Sequence, residues 1–543
     1  MAKLFLRCLL GVLVAAASVA QAQAQAQTAA PQPTPAPTQA SPTAPATKPE
    51  HKLTPQEAAD LLAAAPQILE YASQDTGLPI KSKVKTRLTT RDAVEKYLNQ
   101  QMKDDKDAKR MERSELVLKK FGLLDNSFQL KPFLIELYKE QVAGYYDEKT
   151  KTMNLLDWVD AEDQKPVMAH ELTHALQDQF VNLDKWNKAG NDEDKISKNV
   201  KEDNERLAKD EVDTARDAVV EGQAMVTFFD YSLKDEGKSI LTAPEIVDLI
   251  KQNMMDTSGS PVLARAPLLI QESMMFPYEQ GLGFEVDILR ARGKQRAFAG
   301  VLDDPPSTSA EIMHPMDYLF HKKQPVIPIP DLHALLDPKY EPYDIGVVGE
   351  FDVKTLVDLF ATDKESDQIT SRWRGGTYYA AQRRSDIGTP RQNTPGSIAL
   401  VYFSAWDTPQ AATKFADVYQ RQFPRKYGQI KVLDYSANDH LLMVDKETMY
   451  ETDQGFVVVA VAGKTVFISE GFDKDEARKM QLLFANADPE GAIRASNAAP
   501  ANPDGSLPDL TASLRERLSM EAMPRFILPL VKASASRRVN RAQ

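Results

Sequence analysis

Two histidines four residues apart, with a glutamate directly after the first, constrain this chain more than any other feature: His170-Glu171-Leu172-Thr173-His174, inside VMAHELTHALQDQ. Along an α-helix, four residues turn through about 400° and rise about 6 Å. The two imidazoles therefore leave one face a turn apart, where both can reach a single ion. Glu171 lies about 100° around the axis, beside the ion, where a carboxylate can act as a base. Met168, Leu172, Ala175 and Leu176 fall on the opposite side, so one face can pack while the other carries chemistry. The chain has seven histidines, so a histidine-rich composition does not explain the pair. The competing reading is a solvated pair on a surface helix.

A catalytic zinc usually takes three protein ligands and keeps one position open. The only cysteine is Cys8, inside an N-terminal export signal. The remaining chain then has no thiol, and any metal must be held by His, Asp or Glu. The best third ligand is Glu221, in AVVEGQAM. Its helix carries an apolar stripe through Ala215, Ala218, Val219, Gly222, Met225, Val226 and Phe229. A carboxylate at the margin of that stripe needs a partner or a metal, because burying it alone is costly. The alternative is a surface glutamate at the stripe's edge. Gly222 is expected to let this backbone come close to the HELTH helix.

HELTHALQD followed downstream by Glu221-Gly222-Gln223-Ala224 resembles the gluzincin branch of zinc metallopeptidases, the thermolysin-like enzymes. The resemblance covers roughly residues 130–230. It implies one Zn²⁺ per chain held by His170, His174 and Glu221, with Glu171 as general base in peptide-bond hydrolysis. It further implies that Thr152–Leu156, in the hairpin before the motif, is an edge strand along which a peptide substrate adds. Two features depart from the pattern. Forty-seven positions (221 − 174) separate His174 from Glu221, more than in thermolysin. Met225 stands where those enzymes carry an aspartate that supports a histidine. Asp178 or Asp217 is expected to orient a ligand instead. A donor for the oxyanion is also needed. Tyr278 and His314 are the candidates, against readings as a half-buried tyrosine and a loop-capping histidine.

The rest of the chain frames this site. Residues 1–22 read as a signal peptide, with Lys3 and Arg7 ahead of an apolar run at 8–20 and small residues at a cleavage site. The alternative is an uncleaved anchor; no stable transmembrane span is expected after signal removal. Residues 23–50, rich in Ala, Gln, Pro and Thr, read as a flexible linker. Thr54-Pro55-Gln56-Glu57 matches a capping box that opens the folded part. Residues 51–340 are expected to form a mainly helical zincin-like domain with the small hairpin Ala143–Asp147 and Thr152–Leu156. A helix is expected from Pro166 to Val181, a solvated charged excursion over 184–210, a helix over 208–232, and Pro-rich loops up to 345.

From 345 to 490 the pattern turns to strands rich in Val, Ile, Tyr and Phe: Thr377–Gln382, Ser397–Ala405, Gln429–Asp434, Met449–Thr452, Phe456–Ala462 and Thr465–Ser469. Helices at 408–424 and 473–486 interrupt them. The fold class is thus α+β, with a second α+β domain of unassigned role. Residues 491–543 read as a linker and tail, with a helix near 509–522.

With a formal charge of −12, a nucleic-acid partner is not expected, since phosphates call for a basic footprint. The leading functional expectation is a periplasmic or secreted zinc metallopeptidase acting on peptides or proteins. Alternatives are a zinc amidase for cell-wall crosslinks and a zinc-binding scaffold that meets an envelope protein through 345–490.

Overall fold

The computed structural model describes residues 52–101, 105–141, 144–186, 196–197, 199–243, 247, 257, 260–322, 326–433, 444–486 and 520–521. The expected signal peptide, the Pro-rich linker and the body of the expected tail helix lie outside these residues. Among the described residues, no helix is long and apolar enough to cross a membrane.

Helix α1 (Pro55–Thr76) starts as its sequence dictates. Thr54 Oγ1 accepts from Glu57 N, and Glu57 Oε2 accepts from Thr54 N at 2.7 Å. Leu61, Ala65, Ile68, Leu69 and Ala72 recur on one face and are buried. The helix ends at Gly77, whose φ of 76° suits a residue without a side chain. A strand, β1 (Lys85–Thr89), then stands within 55–142, a stretch whose sequence reads mostly as helix, before α2 (Arg91–Gln101), α3 (Asp105–Phe121) and α4 (Leu130–Gln141).

The expected hairpin is present as β2 (Gly144–Asp147) and β3 (Thr152–Leu156), paired antiparallel. The expectation that Thr152–Leu156 is an edge strand is overturned. Strand β3 lies between β2 and β1, pairing parallel with the latter from Lys85↔Thr152 to Thr89↔Leu156. All five of its residues are buried, as befits a central strand with both ladders taken. The outer side of β2 pairs with Met520–Glu521.

Helix α5 (Ala161–Val181) begins five residues earlier than Pro166 suggests. Asp160 caps it by accepting from Glu162 N at 3.0 Å. Gln164 clamps it to β3, donating to Leu156 O and accepting from Leu156 N, each at 2.9 Å. These anchors hold the first turns although Pro166 contributes no N–H. Part of the charged stretch is also packed rather than solvated. Helix α6 (Val200–Leu207) buries Asp203 and Leu207, and Asn204 exchanges two hydrogen bonds with the Ile329 backbone.

Helix α7 (Val212–Leu233) lies against α5 on one side and α8 (Leu268–Arg292) on the other. Gly222 does bring backbones together, but against α8 and not against α5. A Cβ on Gly222 would meet Gly281 O at 2.2 Å, and one on Gly281 would meet Ala218 O at 2.1 Å. Only paired glycines let two helices cross this closely.

The C-terminal segment is a seven-stranded antiparallel sheet in the order β4-β5-β6-β10-β9-β8-β7. Strands β5 (Trp373–Arg383), β6 (Ile398–Trp406), β7 (Ile430–Val432), β8 (Lys446–Thr452), β9 (Gly455–Ala462) and β10 (Thr465–Glu470) match the six expected strands. Strand β4 (Tyr340–Val347) is additional. Its Pro342 sits at a register shift on the sheet edge, where a missing N–H is tolerated. One face buries Tyr379, Val401, Phe403 and Phe467 with Met480 and Phe484 of the last helix, Lys474–Asn486. The other face buries Tyr378, Tyr402 and Trp406 in a core continuous with that of the N-terminal helices. The molecule is mixed α+β.

Candidate metal centre

Helices α5 and α7 place His170, His174 and Glu221 together in the interior. Both histidines are fully buried, and Glu221 is 1 % exposed. His170 Nε2 lies 3.0 Å from His174 Nε2. Glu221 Oε2 lies 3.2 Å from His170 Nε2 and 3.7 Å from His174 Nε2. Ligands held about 2.0–2.1 Å from a tetrahedral zinc stand about 3.3 Å from one another. The three atoms therefore have the spacing of three corners of such a sphere. Glu221 Oε2 is also buried without a hydrogen-bond partner, a costly condition for a carboxylate oxygen in a protein interior.

The protonation of the site suits a cation. Burial pushes the His170 imidazole down to about 3, with the Ala224 backbone pulling the other way. Burial pushes His174 down to about 4, opposed by Glu221. Neutral imidazoles offer lone pairs. His174 Nδ1 lies 2.9 Å from Gln177 Oε1. An amide oxygen only accepts, so Nδ1 carries the proton and the Nε2 lone pair faces Glu221 and His170. Burial also raises Glu221 to about 7, against the pull of His174 and a hydrogen bond from Tyr278. A divalent ion would remove that penalty and hold the carboxylate ionised.

Glu171 is fully buried next to this group. Its Oε2 accepts from Tyr146 N of β2 at 2.9 Å, so the hairpin fixes the carboxylate beside the imidazole pair. Gly144 keeps that strand close: a Cβ there would lie 3.8 Å from Glu171 Cγ and 3.3 Å from Val167 Cγ1.

Of the two oxyanion candidates, one is at the site. Tyr278 of α8 bonds Glu221, and its ring stacks toward His170 with centroids 6.5 Å apart. The Gly222–Gly281 crossing brings it there. His314 is not brought to the triad. It sits between the short helices Ser309–Met313 and Pro315–Leu319, half exposed, with Nε2 2.8 Å from Glu350 Oε1. That hydrogen bond is the largest influence raising its pKa.

The expected supports for the ligands also differ. Asp178 accepts from Tyr146 Oη at 2.8 Å and from Lys151 Nζ at 2.6 Å, tying helix to hairpin instead of orienting a histidine. Asp217 lies on the half-buried side of α7. The Nδ1 of His174 goes to Gln177, not to either aspartate. Gln177 and Gln223 are the functional neighbours that sequence reasoning missed. Their spacing, three after His174 and two after Glu221, was the available signal. A described cavity of about 340 Å³ lies elsewhere, lined by Val247, Gln280, Phe284, Asp287, Arg290 and Met313.

A family model described as a domain of unknown function, DUF8575, matches residues 339–481, the span of the seven-stranded sheet and most of its helices. No curated protein matches the chain, and no solved structure matches it.

Proposed function

We propose that this chain is an exported zinc metallopeptidase of gluzincin type, with His170, His174 and Glu221 as metal ligands and Glu171 as general base. The observation that carries the reading is the convergence of three metal-binding atoms, within 3.7 Å of one another, from two separate helices. When bound, zinc polarises a carbonyl and makes water a better nucleophile at neutral pH. The chain's own groups do the rest. Glu171, fixed by Tyr146 N–H, takes the proton from the attacking water and passes it to the leaving nitrogen. Tyr278 donates its one hydroxyl proton to Glu221; with Glu221 taken up by a metal, that proton would be free to turn to the oxyanion. The signal-like N-terminus supports action outside the cytoplasm, on peptides or proteins. The outer surface of 345–490 is the part proposed to meet an envelope partner.

Complete burial of all four residues favours one competing reading, a zinc site that only ties α5 to α7. The two readings separate in one set of experiments. Metal analysis of purified protein should give about one zinc per chain, with much less in His170→Ala and Glu221→Ala. Glu171→Gln should keep its zinc and lose peptide hydrolysis by a factor of at least about 10². Full zinc in the wild type with no cleavage of a broad peptide library would establish the structural tie instead.

A further inference from the structure

Two glutamines lie behind the metal-binding face. Gln177 and Gln223 are both fully buried, and each has a fixed amide orientation. Gln177 Nε2 donates to Val220 O at 3.0 Å and to Gln223 Oε1 at 2.9 Å. Turning this amide over would set its oxygen against two acceptors and leave His174 facing an NH₂ group. Gln223 Nε2 in turn donates to Ala297 O at 2.9 Å and Phe298 O at 3.1 Å. It cannot turn over either.

Those two carbonyls belong to a π-helical turn, Arg296–Gly300. Such turns are rare and occur mostly as single turns, often near functional sites. Here the turn presents successive carbonyls to one side chain. The hydrogen bonds run in one direction: His174 Nδ1–H to Gln177, Gln177 to Gln223, Gln223 to the π turn. Reversing any member leaves a buried pair of like groups, donor on donor or acceptor on acceptor, which costs more than losing one bond at a surface.

We infer that this amide relay, anchored in the π turn at 296–300, fixes the tautomer of His174 and presents its Nε2 to the metal, making Gln177 and Gln223 positioning residues. The inference rests on the proposed metal site for its purpose but not for its geometry. Groups that hold the far nitrogen of a ligating histidine typically contribute 10- to 100-fold to metal affinity. Most such groups are carboxylates or carbonyls. A neutral amide needs an orienting partner of its own, and the π turn supplies it.

The test uses the full-length mature protein with Gln177→Met, Gln223→Met and the double variant. Imidazole ¹⁵N NMR on metal-free protein reads the His174 tautomer directly. The wild type should show Nδ1–H, and both single variants should show a mixture with Nε2–H. Zinc affinity, measured by chelator competition, should fall about 10- to 100-fold in each single variant. The double variant should be no weaker than the weaker single one, because a chain broken once is already broken. Melting of the metal-free proteins checks that each variant folds. A folded Gln223→Met variant with the wild-type tautomer and affinity would overturn the relay while leaving the metal site standing. A wild type that binds no zinc but shows the Nδ1–H tautomer would overturn the metal role of both. Additive losses in the double variant would also count against a single chain.

Discussion

At the scale of single residues, burial decides which charges matter. Glu211, just ahead of α7, is part-buried and accepts from Ser309 N at 3.2 Å and from the Ser309 hydroxyl. Burial raises its carboxyl to about 7; the Ser309 hydroxyl opposes this, and Asp352 adds to it. A carboxyl whose pKa is higher folded than unfolded favours the folded state at low pH. That advantage is complete below about 4.5 and is lost as pH rises through about 7. Unfolding free energy should therefore fall between pH 5 and 8 by about 1–3 kcal/mol from this group. Glu211→Gln, which keeps the acceptor oxygen, should flatten that part of the profile in urea titrations across the range. A slope unchanged in the variant would assign the loss to other groups. Nothing around Glu211 in the sequence announced its burial. The contact comes from Ser309, 98 positions away, and only the closed fold brings it in. The imidazole pair was readable for the opposite reason: its geometry is local, set by one turn of helix.

Among elements, the contact that matters most is the crossing of α7 and α8. Glu221 was readable as an acid at the edge of an apolar stripe. What that stripe packs on was not, because periodicity gives a face and not a neighbour. The glycine at 222 pointed to a close approach, and the partner is Gly281. Alanine at either position would drive a methyl into a carbonyl of the other helix. Gly222→Ala and Gly281→Ala should each cost about 1–3 kcal/mol or more. Because Glu221 and Tyr278 sit beside the crossing, each variant should also lose metal in proportion to the helix displacement. Denaturant midpoints and metal content, measured on the same samples, check this. The central position of β3 was hidden for a related reason. Its parallel partner β1 lies before three intervening helices, beyond the range of any hairpin signal.

On the scale of the whole molecule, the seam between sheet and helices includes a polar and aromatic joint at the end of α3. Phe121, at the end of α3, is fully buried edge-on to Tyr378 and Tyr402, with centroids 5.3 and 5.9 Å away. Beside it, Lys120 Nζ donates to Gln454 Oε1 at 3.0 Å, and Arg425 donates to Gly122 O at 2.7 Å. Buried Glu470 accepts from Tyr419 Oη at 2.6 Å and forms an ion pair with Lys426 Nζ at 2.5 Å. Phe121→Ala should cost about 3–5 kcal/mol and loosen this joint. Limited proteolysis should then release a fragment near 339–481 that the wild type retains. Six of the seven strands of that fragment were readable from alternation and β-branched composition. Their attachment to α3 was not, because the two are joined by side chains some 250 to 350 positions apart.

The burial of the triad has a consequence for the history of each molecule. With every donor atom enclosed between α5, α7 and α8, an ion at the proposed site, like any substrate, reaches it only when those helices part. Exchange of an ion bound there would then run at the pace of that opening, not at the pace of diffusion to a surface.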